Sequence, residues 1–192
     1  MKRNNQRLGL RALRYAAVAF VVALAVAWPT QTATVGWPAF LGFPVLLLII
    51  LLGVAFDIVG VAATRAHETP FHARSATRRP GARKALRLVR EADRVATVCS
   101  DMVGDIAGTV SGALTVGLAV RVVPARDAAV AAIVAVALVS ALTIGLKSAA
   151  KGLAIRQADT VVWLVGRLLE AVERVLPLHI LEAPPRRRRG GL

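Results

Sequence analysis

The chain has 192 residues, of which 56% are apolar, and its 25 Lys and Arg residues against 11 Asp and Glu residues give a formal charge of +14. A mean hydropathy of +0.61, together with long uninterrupted apolar runs, excludes a simple water-soluble enzyme core. The single cysteine, Cys99, excludes an internal disulfide framework and a zinc site built on paired cysteines. The composition therefore indicates an integral membrane protein whose charge is segregated from its apolar runs.

Four apolar runs mark the predicted membrane spans, at residues 15–28, 39–64, 96–123 and 128–146. The last three reach the length of about 20 residues that crosses a bilayer as a helix. The first run is shorter, and its basic leader also fits a signal peptide, but no clean cleavage site follows it, so we favour an uncleaved helix. The predicted fold class is all-α: a polytopic membrane protein with three core transmembrane helices, an additional N-terminal helix and cytoplasmic amphipathic helices.

The basic residues cluster before the first run, between the second and third runs, and after the fourth. The positive-inside rule then places both termini in the cytoplasm, and the expected location is the inner (plasma) membrane of a bacterium. Prolines lie in both short outer loops, Pro29 and Pro38 in the first and Pro124 in the second, where they are expected to stop a helix between adjacent spans.

Changes in charge and hydropathy divide the chain into four parts. Residues 1–38 hold the basic N-terminus and the additional helix, residues 39–156 a transmembrane domain, residues 157–183 an amphipathic juxtamembrane helix, and residues 184–192 a disordered basic tail. Within the second part, residues 82–94 are expected to form a basic helix that lies along anionic lipid. The juxtamembrane helix is expected either to lie in the membrane interface or to pack on a partner. Membrane lipids rather than nucleic acid are the expected partners of the tail, because no aromatic residues accompany its charges.

Three acidic residues, Asp57, Asp101 and Asp105, lie inside apolar runs, where an ionised carboxylate is costly unless it has a partner. Asp101 and Asp105 are four residues apart and so share one face of a helix, and Ser100 adds a hydroxyl oxygen beside them. Carboxylate and hydroxyl oxygens are ligands that Mg²⁺ and other hard divalent cations accept. The sequence therefore predicts a metal site with Asp101 and Asp105 as principal ligands and with Asp57 and Ser100 as supporting ligands.

Lys147 gives a rival, structural interpretation, because helical spacing places it at a depth that matches the aspartates. Its ammonium group would act as a permanent counter-charge to one carboxylate. One lysine does not neutralise three aspartates, so a second partner, protonation, a bound cation or a water-filled cavity is also required. We favour a cation or proton site over a purely structural cluster of ion pairs.

Gly104, Gly108 and Gly112 follow one another at intervals of four residues in the third run. Small residues at this spacing allow a neighbouring helix to approach closely. The motif is typical both of tight packing within one subunit and of a dimer interface, and it does not choose between them.

The order of these parts resembles the transmembrane domain of the CorC/CNNM family of magnesium transport proteins. The similarity covers roughly residues 39–178, and it is carried by residues 56–64 (FDIVGVAAT), residues 84–97 (KALRLVREADRVAT) and residues 153–156 (LAIR) at the start of the amphipathic stretch.

Single positions match or depart from the family's motifs. Asp57 takes the place of the first serine of the family's first motif. Asp101 and Asp105 fall on two asparagines of the family's second span if a gap of one residue is allowed. Lys147 stands where the family commonly has a glutamate.

The resemblance implies a homodimer with a cation site in the transmembrane bundle of each subunit, and Na⁺-coupled export of Mg²⁺. It also implies that the CBS and CorC-type domains of the family are lacking, so we expect regulation, if any, to come from a partner protein.

Two functions of different classes follow. The first is transport of a divalent cation, with Mg²⁺ as the expected ion and Na⁺ as a coupling ion, through a carboxylate-lined site in a dimeric bundle. The alternative is a non-transporting membrane subunit whose ion site is closed by Asp–Lys pairs and which binds a partner protein. An enzyme is not expected, because the sequence has no nucleophile–base pair and no intact metal-hydrolase motif.

Overall fold

The computed structural model describes residues 2–175, and throughout this range the protein is helical with no strand. The α-helices are α1 (Lys2–Gly36), α2 (Ala39–Arg65), α3 (Glu68–Ala76), α4 (Ala82–Arg90), α5 (Ala92–Ala96), α6 (Gly104–Val122), α7 (Ala128–Arg156) and α8 (Ala158–Val175). A π-helical segment, Thr97–Val103, joins α5 to α6. The all-α prediction is thus confirmed for these residues, whereas the predicted tail at 184–192 lies outside the described residues.

Four stretches are long and apolar enough to cross a membrane, namely Ala12–Thr32, Ala39–Arg65, Ala92–Val122 and Ala128–Arg156. They correspond to the four runs predicted from the sequence, and they are compatible with a multi-pass membrane protein. The fourth apolar stretch is longer than the predicted run, because α7 continues past Lys147 and ends at Arg156.

The prediction that Pro29 ends the first helix is wrong, because α1 passes through Pro29 and continues to Gly36. Threonine hydroxyls donate to carbonyls that precede Pro29: Thr30 to the carbonyl of Val26 at 2.8 Å, and Thr32 to that of Trp28 at 2.8 Å. Hydroxyl side chains near a proline are among the local adjustments by which an apolar helix tolerates it. The first apolar stretch is therefore 21 residues long rather than the 14 of the predicted run.

Helix α2 is the central helix of a bundle that it forms with α6 and α7, and α1 lies beside α6 and α2. We use "bundle" for these four long helices together with the π-helical segment. Their buried apolar core consists of Leu46, Ile49, Ile50 and Val54 from α2, Val110, Leu114 and Leu118 from α6, and Ala150 from α7. These residues recur along α2 with the spacing of one helix face, so a single stripe of α2 faces both neighbours.

Glycines on the buried face of α2 set the distance to the next helix. A Cβ at Gly53 would lie 2.8 Å from the Cβ of Ala107, and a Cβ at Gly60 would overlap the hydroxyl of Ser100. Gly108 and Gly112, by contrast, have open space where a Cβ would stand. Close packing within the chain therefore uses the glycines of α2, and the dimer interpretation of Gly108 and Gly112 stays a prediction.

Helices α3, α4 and α8 form a second compact unit, which we call the cap. Its core contains Phe71, which is 0% exposed, together with Leu88 and Val162 and small residues from the ends of α2 and α7. The backbone N–H of His67 donates to the carboxylate of Asp159 at 2.9 Å, which ties the turn before α3 to the first turn of α8. The amphipathic helix α8 thus packs on its own chain, where the sequence had left the membrane interface and a partner as alternatives.

The predicted basic helix at 82–94 is divided in the structure. Helix α4 ends at Arg90, and Glu91 leaves the helical conformation before α5 begins at Ala92. The apolar side of α4, formed by Ala85 and Leu88, is buried in the cap core rather than free to lie on lipid. The segregation of charge predicts an amphipathic helix here, but it does not indicate whether the apolar face packs on lipid or on the rest of the chain.

Helices α4 and α8 approach each other at two glycines. Gly81 has a φ of +78°, which favours glycine, and a Cβ there would lie 2.8 Å from the Cα of Arg167. A Cβ at Gly166 would lie 2.8 Å from the backbone nitrogen of Ala85. Backbone therefore lies directly on backbone at this contact, and neither glycine has room for a side chain.

Candidate functional site

Asp57 is the acidic residue that the bundle buries. It lies on the stripe of α2 that faces the other helices, between Gly53 and Gly60, and it is 5% exposed. The carboxylate of Asp57 is 3.8 Å from the ammonium nitrogen of Lys151 on α7, whose side chain is 53% exposed. The polar centre of the bundle therefore contains a buried carboxylate and a lysine that reaches it from a more open position.

Lys151 was not among the predicted site residues. It stands one helical turn beyond Lys147, the predicted counter-charge. The ammonium nitrogen of Lys147 instead lies 3.6 Å from the position that a Cβ of Gly104 would occupy, where α6 begins. The counter-charge role of Lys147 stays a prediction, while the ion pair that the structure gives to Asp57 belongs to Lys151.

The π-helical segment lies directly against this pair. Ser100, within that segment, donates from its hydroxyl to the backbone carbonyl of Asp57 at 3.4 Å, and the absence of a side chain at Gly60 makes room for it. A π-helical turn is wider than an α-helical turn and occurs frequently at functional sites. Ser100 and Asp57 are therefore brought together, through the main chain of Asp57 and not through its carboxylate.

Asp101 lies in the π-helical segment and Asp105 in the first turn of α6, and both side chains are exposed. Neither has an ion pair with any residue in the range 2–175. Within that range no three His, Cys, Asp or Glu side chains form a group that could hold a metal ion. The four predicted ligands thus divide into two sets, with Asp57 and Ser100 inside the bundle and the other two aspartates on its surface.

The carboxylates of the cap are paired with cations. Lys84 and Glu173 are 2.6 Å apart, and Arg174 donates to Glu170 at 2.7 Å. The carboxylate of Glu170 also accepts a hydrogen bond from the backbone N–H of Gly81. This hydrogen bond, with support from Arg174, lowers the pKa of Glu170 below its usual range despite the opposing effect of burial.

On α3, side-chain hydrogen bonds with Arg90 and His72 likewise lower the pKa of Glu68. The guanidinium of Arg74 lies 4.8 Å from the ring centroid of Trp163, and Arg167 lies 5.4 Å from the same ring. The first of these cation–π contacts joins α3 to α8, and the second lies within α8. The cap is thus held together by charge as well as by its apolar core.

Sequence reasoning missed the pairing of Lys151, the close packing at Gly53 and Gly60, and the π-helical segment. A signal for the glycines exists, since they are seven residues apart and so occupy one face of α2. The pairing had no such signal, because helical depth alone makes Lys147 and Lys151 similar candidates.

Comparison of the chain with protein-family models, with curated proteins and with solved structures found no match. The resemblance to the CorC/CNNM family therefore stays a prediction that rests on the sequence motifs.

Proposed function

We propose that this protein moves a cation across a membrane through the polar centre of its bundle, with Mg²⁺ as the first ion to test. The observation that carries the proposal is an excess of acid in the apolar helices. Asp57, Asp101 and Asp105 all lie in stretches apolar enough to cross a membrane. Among the described residues, Asp57 has an ion pair and the other two have none. Unpaired carboxylates in such helices are costly and typically mark ion or proton pathways.

Asp57 is the centre of the proposed site, and Lys151 is its displaceable counter-charge. A lysine at 3.8 Å satisfies the carboxylate, and its half-exposed, flexible stem allows it to withdraw when a cation arrives. In this mechanism the ammonium group competes with the transported ion for one carboxylate. Mg²⁺ retains several water molecules when it binds, so one or two carboxylates are sufficient protein ligands.

The exposed pair of aspartates at the junction of the π-helical segment and α6 is proposed to act in a homodimer. Two copies that meet along the open face of Gly108 and Gly112 would bring Asp101 and Asp105 of each copy toward the shared surface. The distribution of Lys and Arg supports an inner-membrane location with the cap and both termini in the cytoplasm. Under this orientation the carboxylates lie in the half of the membrane nearer the cap.

Flux measurements on the full chain test the proposal. The wild-type protein is reconstituted into liposomes that enclose a Mg²⁺-sensitive dye, beside Asp105→Asn and Asp57→Asn, with and without a Na⁺ gradient. The matched control is Asp127→Asn, whose carboxylate pairs with Arg126 in the loop before α7 at 3.1 Å. We expect flux in the wild type and the control and its loss in the other two variants. Absence of flux from correctly inserted wild-type protein in both gradients would overturn the proposal.

A second candidate function is a non-transporting membrane subunit that binds a partner protein. The observation that favours it is the Asp57–Lys151 pair itself, because a lysine that stays in place closes the buried site to cations. Thermal unfolding separates the two functions. A transporter is stabilised selectively by Mg²⁺ or Mn²⁺ through mass action, whereas a closed bundle responds to ionic strength alone.

A further inference from the structure

We propose that the cap holds a binding site for a phosphate group, independent of transport. The site is an open cavity of about 460 Å³ at the turn between α3 and α4, with α8 as its opposite wall. Cavities of several hundred cubic ångströms are typical of small-molecule sites.

The lining of this cavity is strongly basic. Its charged residues are Arg78, Arg79, Arg83, Lys84, Arg174 and Glu170. Five cations therefore share one cavity with a single carboxylate, and like charges held this close repel one another in the absence of an anion.

Three of these cations have no anionic partner in the described part of the chain. Lys84 is paired with Glu173, and Arg174 with Glu170. Arg78, Arg79 and Arg83 have no ion pair with any residue in the range 2–175. All three side chains are exposed, so each can turn toward a ligand without breaking an existing pair.

The backbone fixes where these arginines stand. Arg78 has a φ of +53° and Gly81 a φ of +78°, so the left-handed region is occupied twice within four residues. Such a conformation is costly at arginine and is maintained by the surrounding structure, and strain of this kind tends to occur at functional sites. The tight turn places two arginines before α4, while Arg83 follows in the first turn of that helix.

Phosphate is the anion that best fits several guanidinium groups. Each guanidinium presents a planar fork of N–H donors, which matches two oxygens of a phosphate, and three forks suit a phosphomonoester with more than one negative charge. Lipid headgroups and free phosphorylated molecules share this chemistry, and the cavity would accept either.

Binding to the full chain, purified in a neutral detergent, tests the proposal with two probes. Inorganic pyrophosphate represents a free phosphate, and phosphatidylcholine vesicles with added phosphatidic acid represent a lipid headgroup. The pocket variant is Arg79→Ala with Arg83→Ala. The control is Arg94→Ala with Arg126→Ala, which removes the same charge from outside the cavity. Sodium chloride at matched ionic strength separates specific binding from screening.

We expect at least one probe to bind the wild type and the control and to raise their unfolding temperature. The pocket variant should bind about tenfold more weakly or worse, since each charged hydrogen bond lost is worth at least that factor. Binding of pyrophosphate assigns a free phosphate as ligand, whereas binding of the phosphatidic acid vesicles alone assigns a lipid headgroup.

Glu170→Gln provides a second test, because tighter binding is not expected if the arginines of the cavity only stabilise the fold. Removal of the one carboxylate in the cavity should tighten binding of the same probe severalfold. Equal binding by the wild type and the pocket variant, or stabilisation no greater than that by sodium chloride, would overturn the proposal.

Discussion

The cap and the bundle differ in how many of their acidic side chains and glycines have partners within one chain. In the cap, the carboxylates of Glu68, Glu170 and Glu173 each have a cationic partner, and the glycines at the α4–α8 contact lie directly against backbone. In the bundle, Asp101 and Asp105 have no ion pair within the described residues, and two glycines of α6 face open space. The acidic side chains of the cap are therefore satisfied within one chain, whereas two acidic side chains of the bundle are not.

The sharpest test of this contrast is a methyl group added to a glycine of each region. Gly81→Ala should undock α4 from α8, because the added Cβ meets the backbone of Arg167 and the left-handed conformation is strained for alanine. We expect a loss of about 2 kcal/mol or more in the free energy of unfolding, and faster proteolysis between α3 and α4.

Gly108→Ala is the matched control in the bundle, since nothing lies within 4 Å of the position that the new Cβ would occupy. In the monomeric protein its free energy of unfolding should stay within about 1 kcal/mol of the wild type. Equal destabilisation of the monomer by the two substitutions would contradict the contrast between the regions, whereas a loss confined to the dimer would support the proposed contact along this face.

The two lysines of α7 provide the next largest effect. Lys151→Met leaves Asp57 buried without its ion pair, so it should destabilise the protein in the absence of divalent cations by about 1–2 kcal/mol, less than for a fully buried pair. The same change should increase the stabilisation by Mg²⁺, because the competing ammonium group is gone.

Lys147→Met is the control, since Asp57 pairs with Lys151, one turn away on the same helix. Thermal unfolding with and without Mg²⁺ measures both effects. A larger gain in Mg²⁺ response for Lys147→Met than for Lys151→Met would restore Lys147 as the counter-charge that the sequence predicts.

The smallest expected effect concerns pH and the cap. The pKa of Glu170 is lowered in the folded protein, so its ionised form stabilises the cap above the usual glutamate pKa, and this stabilisation is lost as the pH falls through the lowered value. The contribution should be below about 1 kcal/mol, because the carboxylate is partly exposed and screened.

Unfolding temperatures of the wild type and Glu170→Gln, compared between neutral pH and about pH 4, isolate this contribution. The difference between the two proteins should narrow as the pH falls. A constant difference across that range would indicate that the carboxylate acts by shape rather than by charge.

The sequence predicts the bundle better than the cap, and the reason is physical. Uninterrupted apolar runs can be recognised residue by residue, so the positions of α2 and α7 follow from hydropathy alone. An error occurs at Pro29, where the rule that a proline ends a helix fails. Hydroxyls of the threonines that follow donate to nearby carbonyls, and the helix continues.

The cap depends instead on pairs of residues far apart in the chain. The partner of Gly81 is Arg167, and the partner of Lys84 is Glu173. No periodicity in either segment indicates such a contact. The polar centre is an intermediate case, since its acidic residues are conspicuous in the sequence, whereas the choice of Lys151 depends on how α2 and α7 are rotated against each other.

The packing of α8 on α3 and α4 also restricts how the chain can thread a membrane. Segments that touch must lie on the same side, so the polypeptide that leaves the cap after α4 and returns to it at α8 must make an even number of crossings. In the proposed multi-pass arrangement, the stretch Ala92–Val122 and helix α7 would supply that number as one pass and its return. The cap would then close only after the returning pass has been made, so its closed form would report the insertion of the last two long helices.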